Sequence, residues 1–301
     1  MLHFLHLNKE CEDCSASSLT PIEDLEQLYS SLCHEGEEKE NPFYLYRYMP
    51  LFSLLHFDQT ESNDENQTKS ECENEGLFMR DIGTWNDPYE HRMFRINMKD
   101  KATGEVFCHP LQKHVYGTCF TTGYNAEAQW KVYDNPQNGP IVLVKFDFSR
   151  LMQALSDSNE DFYVGFVNYY NQQDVGKAVK HLVEKYQKIY KESAEANSSS
   201  LLEINPRQME KLLLPFLIKR QAFSYEREVR ILSVTKPKKE KTYMAPLDNY
   251  TQLISSITLS PYCSKPWQDV QKKLLENCSK HVWGNTLFRK SKTVSPIIIN
   301  E

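Results

Sequence analysis

SYEREVRI, Ser224 to Ile231, reads as a strand that carries two glutamates one residue apart, with Arg227 between them and Arg230 just beyond. Strands disfavour glutamate, and like charges on one face repel. Side chains alternate along a strand, so Glu226, Glu228 and Arg230 are expected on one face and Arg227, Val229 and Ile231 on the other. The two carboxylates would then lie about 7 Å apart along one edge. Two readings follow. One is a solvated edge whose glutamates and arginines screen one another. The other is a carboxylate pair for glycosyl chemistry, one member supporting an oxocarbenium-like centre and the other handling a nucleophile's proton.

Outward from that stretch, short apolar runs recur. FYLYRY (43–48), LFMR (77–80), EVFC (105–108), VYGTCFT (115–121), IVLVKFDF (141–148) and ISSITLS (254–260) read as strands, separated by turn signals such as NDP (86–88) and NPQNGP (135–140). Between them, Val175, Ala178, Val179, Leu182, Val183, Tyr186, Ile189 and Tyr190 repeat at helical spacing, and Asn205 with Pro206 opens another helix that Pro215 should kink or shorten. PWQDVQKKLLENC gives a further helix before a strand near PIII. Near the start, Thr20 as N-cap, Pro21 and Glu23 open a helix through Ile22, Leu25, Tyr29 and Leu32. Strands split by a helical block, without regular βαβ alternation, predict an α+β fold. The expected organisation is a polar and helical segment over 1–41, then one domain over 42–301 with a helical insertion at 165–222. The stretch 58–75 has seven acids, one lysine and almost no apolar residue, and is expected to be a disordered acidic insertion.

The chain has 301 residues, 40% hydrophobic and 12% aromatic, enough for a substantial core. Its net charge of −6 makes a nucleic-acid binder with a broad basic surface a poor fit. Eight cysteines are scattered, and Cys11 with Cys14 forms one CxxC without a second ligand pair, so no metal is expected; His114 and the other histidines also lack metal spacing. No apolar run reaches the ~20 residues of a membrane span, and MLHFLHLNKE lacks a secretory cleavage pattern. The expected location is cytoplasmic, with no membrane partner.

Two further features bear on chemistry. VYGTCFTTGY places Thr118, Thr121 and Thr122 on or just after a strand, where a hydroxyl could fix a carboxylate on a neighbouring strand. Arg47 stands among aromatics in an apolar strand and needs a partner: an internal carboxylate, or a phosphate or ribose suited to its fork.

Taken in order, Arg47, Phe120-Thr121-Thr122 and Glu226-x-Glu228 resemble the arginine, serine and glutamate signature of ADP-ribosyltransferases, with threonine in place of the usual serine. YRYMP (46–50), NDPYE (86–90), CFTT (119–122), WKVY (130–133) and YEREVR (225–230) also resemble, over about 42–265, a broad bacterial family labelled as having unknown function. The resemblance implies a split β-sandwich of mixed sheets and NAD+ as co-substrate, with no metal. Arg47 would hold the diphosphate or its adjoining ribose, and Thr121 and Thr122 would support the site. Trp130, Tyr133, Tyr89 and Tyr124 are candidates to stack on nicotinamide or adenine. Glu228 would face the cationic sugar, and Glu226 would orient an incoming arginine and take its proton. The expected activity is mono-ADP-ribosyl transfer to an arginine of a protein. Its rivals are NAD+ hydrolysis, modification of nucleic acid, and a nucleotide-binding module without turnover. The chain also resembles bacterial effectors, toxin-like virulence proteins delivered into a host cytosol, some of which modify metabolic enzymes.

Overall fold

Runs rich in β-branched and aromatic residues become the strands of the computed structural model, which describes residues 1–6, 25–33, 42–54, 76–90, 94, 97–100, 103–134, 139–195, 203–236, 238, 240–279 and 287–290. The acidic run at 58–75, Cys11 and Cys14, the Thr20 cap and the PIII segment lie outside the described residues. The strands are β1 Leu2–Leu5, β2 Tyr44–Pro50, β3 Gly76–Asp81, β4 Met98–Lys99, β5 Val106–Phe107, β6 Val115–Thr121, β7 Ile141–Asp147, β8 Phe162–Phe166, β9 Asn168–Tyr170, β10 Ile218–Arg220, β11 Glu228–Val234, β12 Thr242–Pro246, β13 Ile254–Leu259 and β14 Leu287–Lys290. The helices are α1 Leu25–Cys33, α2 Leu51–Leu54, α3 Glu127–Tyr133, α4 Phe148–Asp157, α5 Gln172–Lys185, α6 Gln187–Glu195, α7 Pro206–Leu213 and α8 Lys265–Ser279. The architecture is α+β with mixed sheets.

The chain forms two compact units. Met1–Glu37, Leu77–Cys119 and Met152–Leu247 make the first. Its strands run in the order β1-β8-β11-β6, with β3 beside β6 and β12 beside β3. β1 lies parallel to β8, whereas β11 is antiparallel to it, from Val229↔Phe166 to Ser233↔Phe162. Having neighbours on both edges, β11 is buried from Glu228 through Ser233. Val175, Ala178, Val179 and Leu182 of α5 pack with Met209, Leu212 and Leu213 of α7 and with Phe216 and Leu217. Each such large side chain contributes about 1.5–3 kcal/mol on burial. The backbones come close here: a Cβ at Gly165 would sit 2.6 Å from Leu217 Cδ1 and 3.0 Å from Leu5 Cβ.

Local chemistry sets the helix ends. Asn205 Oδ1 accepts from the Arg207 N–H at 2.9 Å, and Pro206 occupies the first turn, where its missing donor costs nothing. Pro215 cannot continue an α-helix, so α7 stops at Leu213 and tightens into a 3-10 turn over Leu214–Leu217. The long apolar repeat after Val175 is two helices rather than one, divided at Tyr186.

Glu38–Gly76, Phe120–Leu151 and Asp248–Glu301 make the second unit. Here β2 and β13 flank β7, both antiparallel to it, and β14 lies parallel to β13. Thr121 pairs with Tyr46. Tyr48, Trp130, Ile141 and Leu143 form a core against which Tyr46 packs.

Candidate functional site

The SYEREVRI segment departs from the simple strand. Gln221–Glu226 winds as a 3-10 turn, Arg227 takes the left-handed backbone conformation (φ 44°, ψ 53°), and the strand begins only at Glu228. Glu226 and Glu228 therefore do not alternate along one pleated edge. A non-glycine residue in the left-handed region costs about 1–3 kcal/mol, so it is retained where surrounding contacts enforce it. One ammonium draws the carboxylates on either side of it together. Lys219 Nζ lies 2.6 Å from Glu226 Oε2, 2.9 Å from Glu228 Oε2 and 3.0 Å from Glu90 Oε1. The chain reversal at Arg227 turns the Glu226 carboxylate back toward the same point that Glu228 reaches from the strand.

Lys219 sits on β10, paired with Tyr169 in the parallel β9–β10 ribbon. The Glu228 N–H donates to the Tyr169 hydroxyl at 2.9 Å, so one ribbon supplies both the cation and an anchor for the strand start. Arg230 is fully buried. Its Nε donates to Glu228 Oε1 at 2.9 Å, Nη1 to the Phe216 carbonyl, and Nη2 to Glu90 Oε1. Its guanidinium carbon lies 4.6 Å from the Trp85 ring centroid. Three carboxylates thus share two cations, a geometry that buried charge requires.

The two glutamates respond oppositely. Glu228 is 3% exposed. Burial pushes its carboxyl up, but Arg230 and Lys219 together outweigh it and hold the group far below the usual carboxylate range. Glu226, whose side chain is 14% exposed, is pushed up to about 7 by burial, reinforced by the Glu228 charge and only partly offset by Lys219. Lys219 would lose charge through burial, but Glu228, Glu90 and Glu226 keep it protonated. The group that meets Glu228 from β6 is the Cys119 thiol, raised first by burial and then by the Glu228 charge, so it remains an S–H donor.

That contact revises the expected role of the threonines. Thr121 Oγ1 accepts from the Gly123 N–H at 2.9 Å and closes a local turn. Thr118 is buried. NDPYE does make a turn, with the Tyr89 and Glu90 N–H groups donating to Asp87 at 3.0 and 3.1 Å, and it also carries two acids to the cluster. Glu90 joins Lys219 and Arg230, while Asp87 takes Arg220 through Nε and Nη2, each at 3.2 Å. The Arg220 guanidinium carbon lies over the rings of Tyr89, at 4.7 Å, and Phe223, at 5.0 Å. The Phe223 centroid is also 5.0 Å from Lys219 Nζ, which links this guanidinium to the carboxylate pair.

The remaining sequence candidates belong to the second unit. Arg47 hydrogen-bonds to the Tyr250 hydroxyl, and its guanidinium lies 5.8 Å from the Phe120 ring. Trp130 is wholly enclosed, edge-on to Tyr48 at 4.8 Å, with Nε1 donating to Asn125 Oδ1 at 2.7 Å. It is a core residue, not a ring offered to a ligand. Tyr133 stacks on Tyr48 at 5.5 Å and stays partly exposed, as does Tyr124; Thr122 is half-buried.

Sequence reasoning missed Lys219, Arg220, Cys119 and Tyr169. One signal was available: carboxylates in a strand with buried faces demand cations, and Lys219-Arg220 stands just upstream. Among the described residues, no group of three or more His, Cys, Asp or Glu side chains is placed to hold a metal ion. No helix among them is long and apolar enough to cross a membrane.

Residues 129–231 match a family of proteins of unknown function, DUF2971. The matched span includes β10, the 3-10 turn and the two glutamates, and it is shorter than the motif frame that led to the same kind of family. No curated protein and no solved structure matches the chain.

Proposed function

We propose that the chain is a mono-ADP-ribosyltransferase that moves ADP-ribose from NAD+ to an arginine of a protein, on an ADP-ribosyltransferase-like split sandwich. One observation carries this reading: two adjacent carboxylates whose surroundings drive their proton affinities apart, Glu228 held ionised and Glu226 poised at about 7. Paired acids separated in this way divide the roles of charge stabilisation and proton transfer. In the reaction, the bond from the anomeric carbon to nicotinamide breaks and nicotinamide leaves with the electron pair. Glu228 opposes the positive charge left on the sugar. A bond forms from that carbon to an arginine nitrogen, and the departing proton goes to Glu226, the more exposed of the two. Arg47, Thr121, Thr122, Tyr133 and Tyr89 are NAD+ contacts on the strength of the family resemblance. Arg220, held by Asp87 beside the glutamate cluster, is a further NAD+ contact in this reading. The same reading places the protein among bacterial effectors that act in a host cytosol.

Labelled NAD+ and a cell lysate test the idea. A protein band should acquire label, Glu228→Ala should abolish it, and Glu226→Ala should lose transfer while retaining part of the NAD+ cleavage. If no acceptor is labelled and NAD+ stays intact, the proposal fails.

A second reading has its own support. Glu228 is closed in by Lys219, Arg230 and Cys119, so a ribose reaches it only when Lys219 lets go. A nucleotide-binding module without turnover would keep that closure. NAD+ would then give a calorimetric signal and release no nicotinamide.

A further inference from the structure

In the second unit, a cavity of about 530 Å³ opens beside α8, within the range of small-molecule sites. Leu51, Pro140, Ile141 and Val270 give it apolar walls, and Trp267, 63% exposed, stands at its edge.

Most of the polar groups in the lining are already paired: the Tyr262 hydroxyl donates to Glu127 Oε1 at 3.2 Å, Gln271 Nε2 points at Cys263 Sγ at 3.1 Å, and Ser260 accepts from the Tyr262 N–H at 3.2 Å and from Gln268 Nε2 at 2.8 Å. One acceptor is left over. Gln271 is 3% exposed, and its Oε1 is buried with no hydrogen-bond partner among the described residues. Leaving such an acceptor unmet costs about 1–3 kcal/mol. Asp134, an exposed residue, adds a carboxylate to the lining. An apolar cavity that holds an unpartnered amide oxygen and a carboxylate complements an apolar molecule that brings donors and positive charge.

We propose that this cavity binds a lipophilic amine: an aromatic or aliphatic body against Ile141, Val270 and Trp267, with a protonated amine directed to Asp134 and Gln271 Oε1. The Trp267 face adds cation–π attraction to the same charge. The site is independent of the transferase chemistry, because none of its residues belongs to the glutamate cluster.

Three isosteric probes test the assignment by ligand-observed NMR titration of the full chain: 2-phenylethylamine, 2-phenylethanol and phenylacetate. The amine should bind roughly tenfold more tightly than the alcohol, with phenylacetate weaker still, and added salt should erode the difference. Asp134→Asn and Trp267→Ala both alter exposed positions, so they should leave the fold intact by circular dichroism while removing most of the amine preference. Gln271→Leu should keep binding of the alcohol and weaken the amine. Equal affinity for the three probes, no binding up to about 10 mM, or unchanged affinity in both surface variants would each overturn the proposal.

Discussion

Glu228 under β11 and Gln271 at the cavity beside α8 are both polar, and both are 3% exposed. Their surroundings differ completely. Glu228 has Lys219, Arg230, Cys119 and a backbone anchor at Tyr169. Gln271 has a thiol on one side of its amide and nothing on the carbonyl oxygen among the described residues. The first region has matched each buried charge internally, so it is already organised before any substrate arrives, and its cost is that a ligand must displace something. The second has left one acceptor without a partner among the described residues, so its hydrogen-bonding capacity is unspent. Preorganisation and vacancy are different routes to a binding site.

The largest effect expected from that difference is on stability. Arg230→Met leaves Glu228 and Glu90 buried without their guanidinium and should cost about 3–5 kcal/mol in urea unfolding. Trp267→Ala, at the open cavity, should change stability by no more than about 0.5 kcal/mol. Comparable losses would mean that Trp267 is held by packing and the contrast is false.

Next in size is the close packing that backs the charged cluster. Gly165→Ala forces a methyl group against Leu217 and Leu5, and should cost about 1–3 kcal/mol. An unchanged denaturation midpoint would show that β8 and Leu217 can separate at little cost.

The remaining effects concern pH, where a partly buried and a buried group act in opposite directions. Glu226 binds its proton more tightly folded, at about 7, than its ordinary 4.5. Its contribution to stability is therefore complete below 4.5 and is lost as pH rises through 7. Glu226→Gln should remove that alkaline-side decline. His109 is the reverse: burial lowers it from 6.5 to about 3, so the unfolded chain takes the proton first. Its contribution is complete above 6.5 and is lost as pH falls toward 3. Urea titrations across that range should show a maximum between the two slopes. A Glu226→Gln profile that matches the parent near 7 would return Glu226 to an ordinary surface carboxylate.

Much of the framework was legible. Strands β2, β6, β7 and β13 and helices α7 and α8 follow from runs and spacings within each segment, and Asn205 and Pro215 mark ends through local backbone chemistry; the break between α5 and α6 and the late start of β11 do not. The site was legible only where one segment carried it. Glu226 and Glu228 stand out because two acids interrupt an apolar run. Arg227's left-handed turn was hidden, since nothing in SYEREVRI itself calls for it; it goes with the Lys219 ammonium just upstream, which both carboxylates reach.

What the sequence by itself determined was therefore the set of elements, the α+β class and the identity of two conspicuous acids, because hydrophobic period, caps and turn residues act over a few positions. What only the tertiary structure decided was how those acids behave. Arg230 meets Glu90 from 140 positions away, Cys119 approaches from a neighbouring strand, and Gln271 closes on a cavity whose other wall is β7. Burial and Coulomb attraction depend on distance through space, and that distance exists only once the chain has folded.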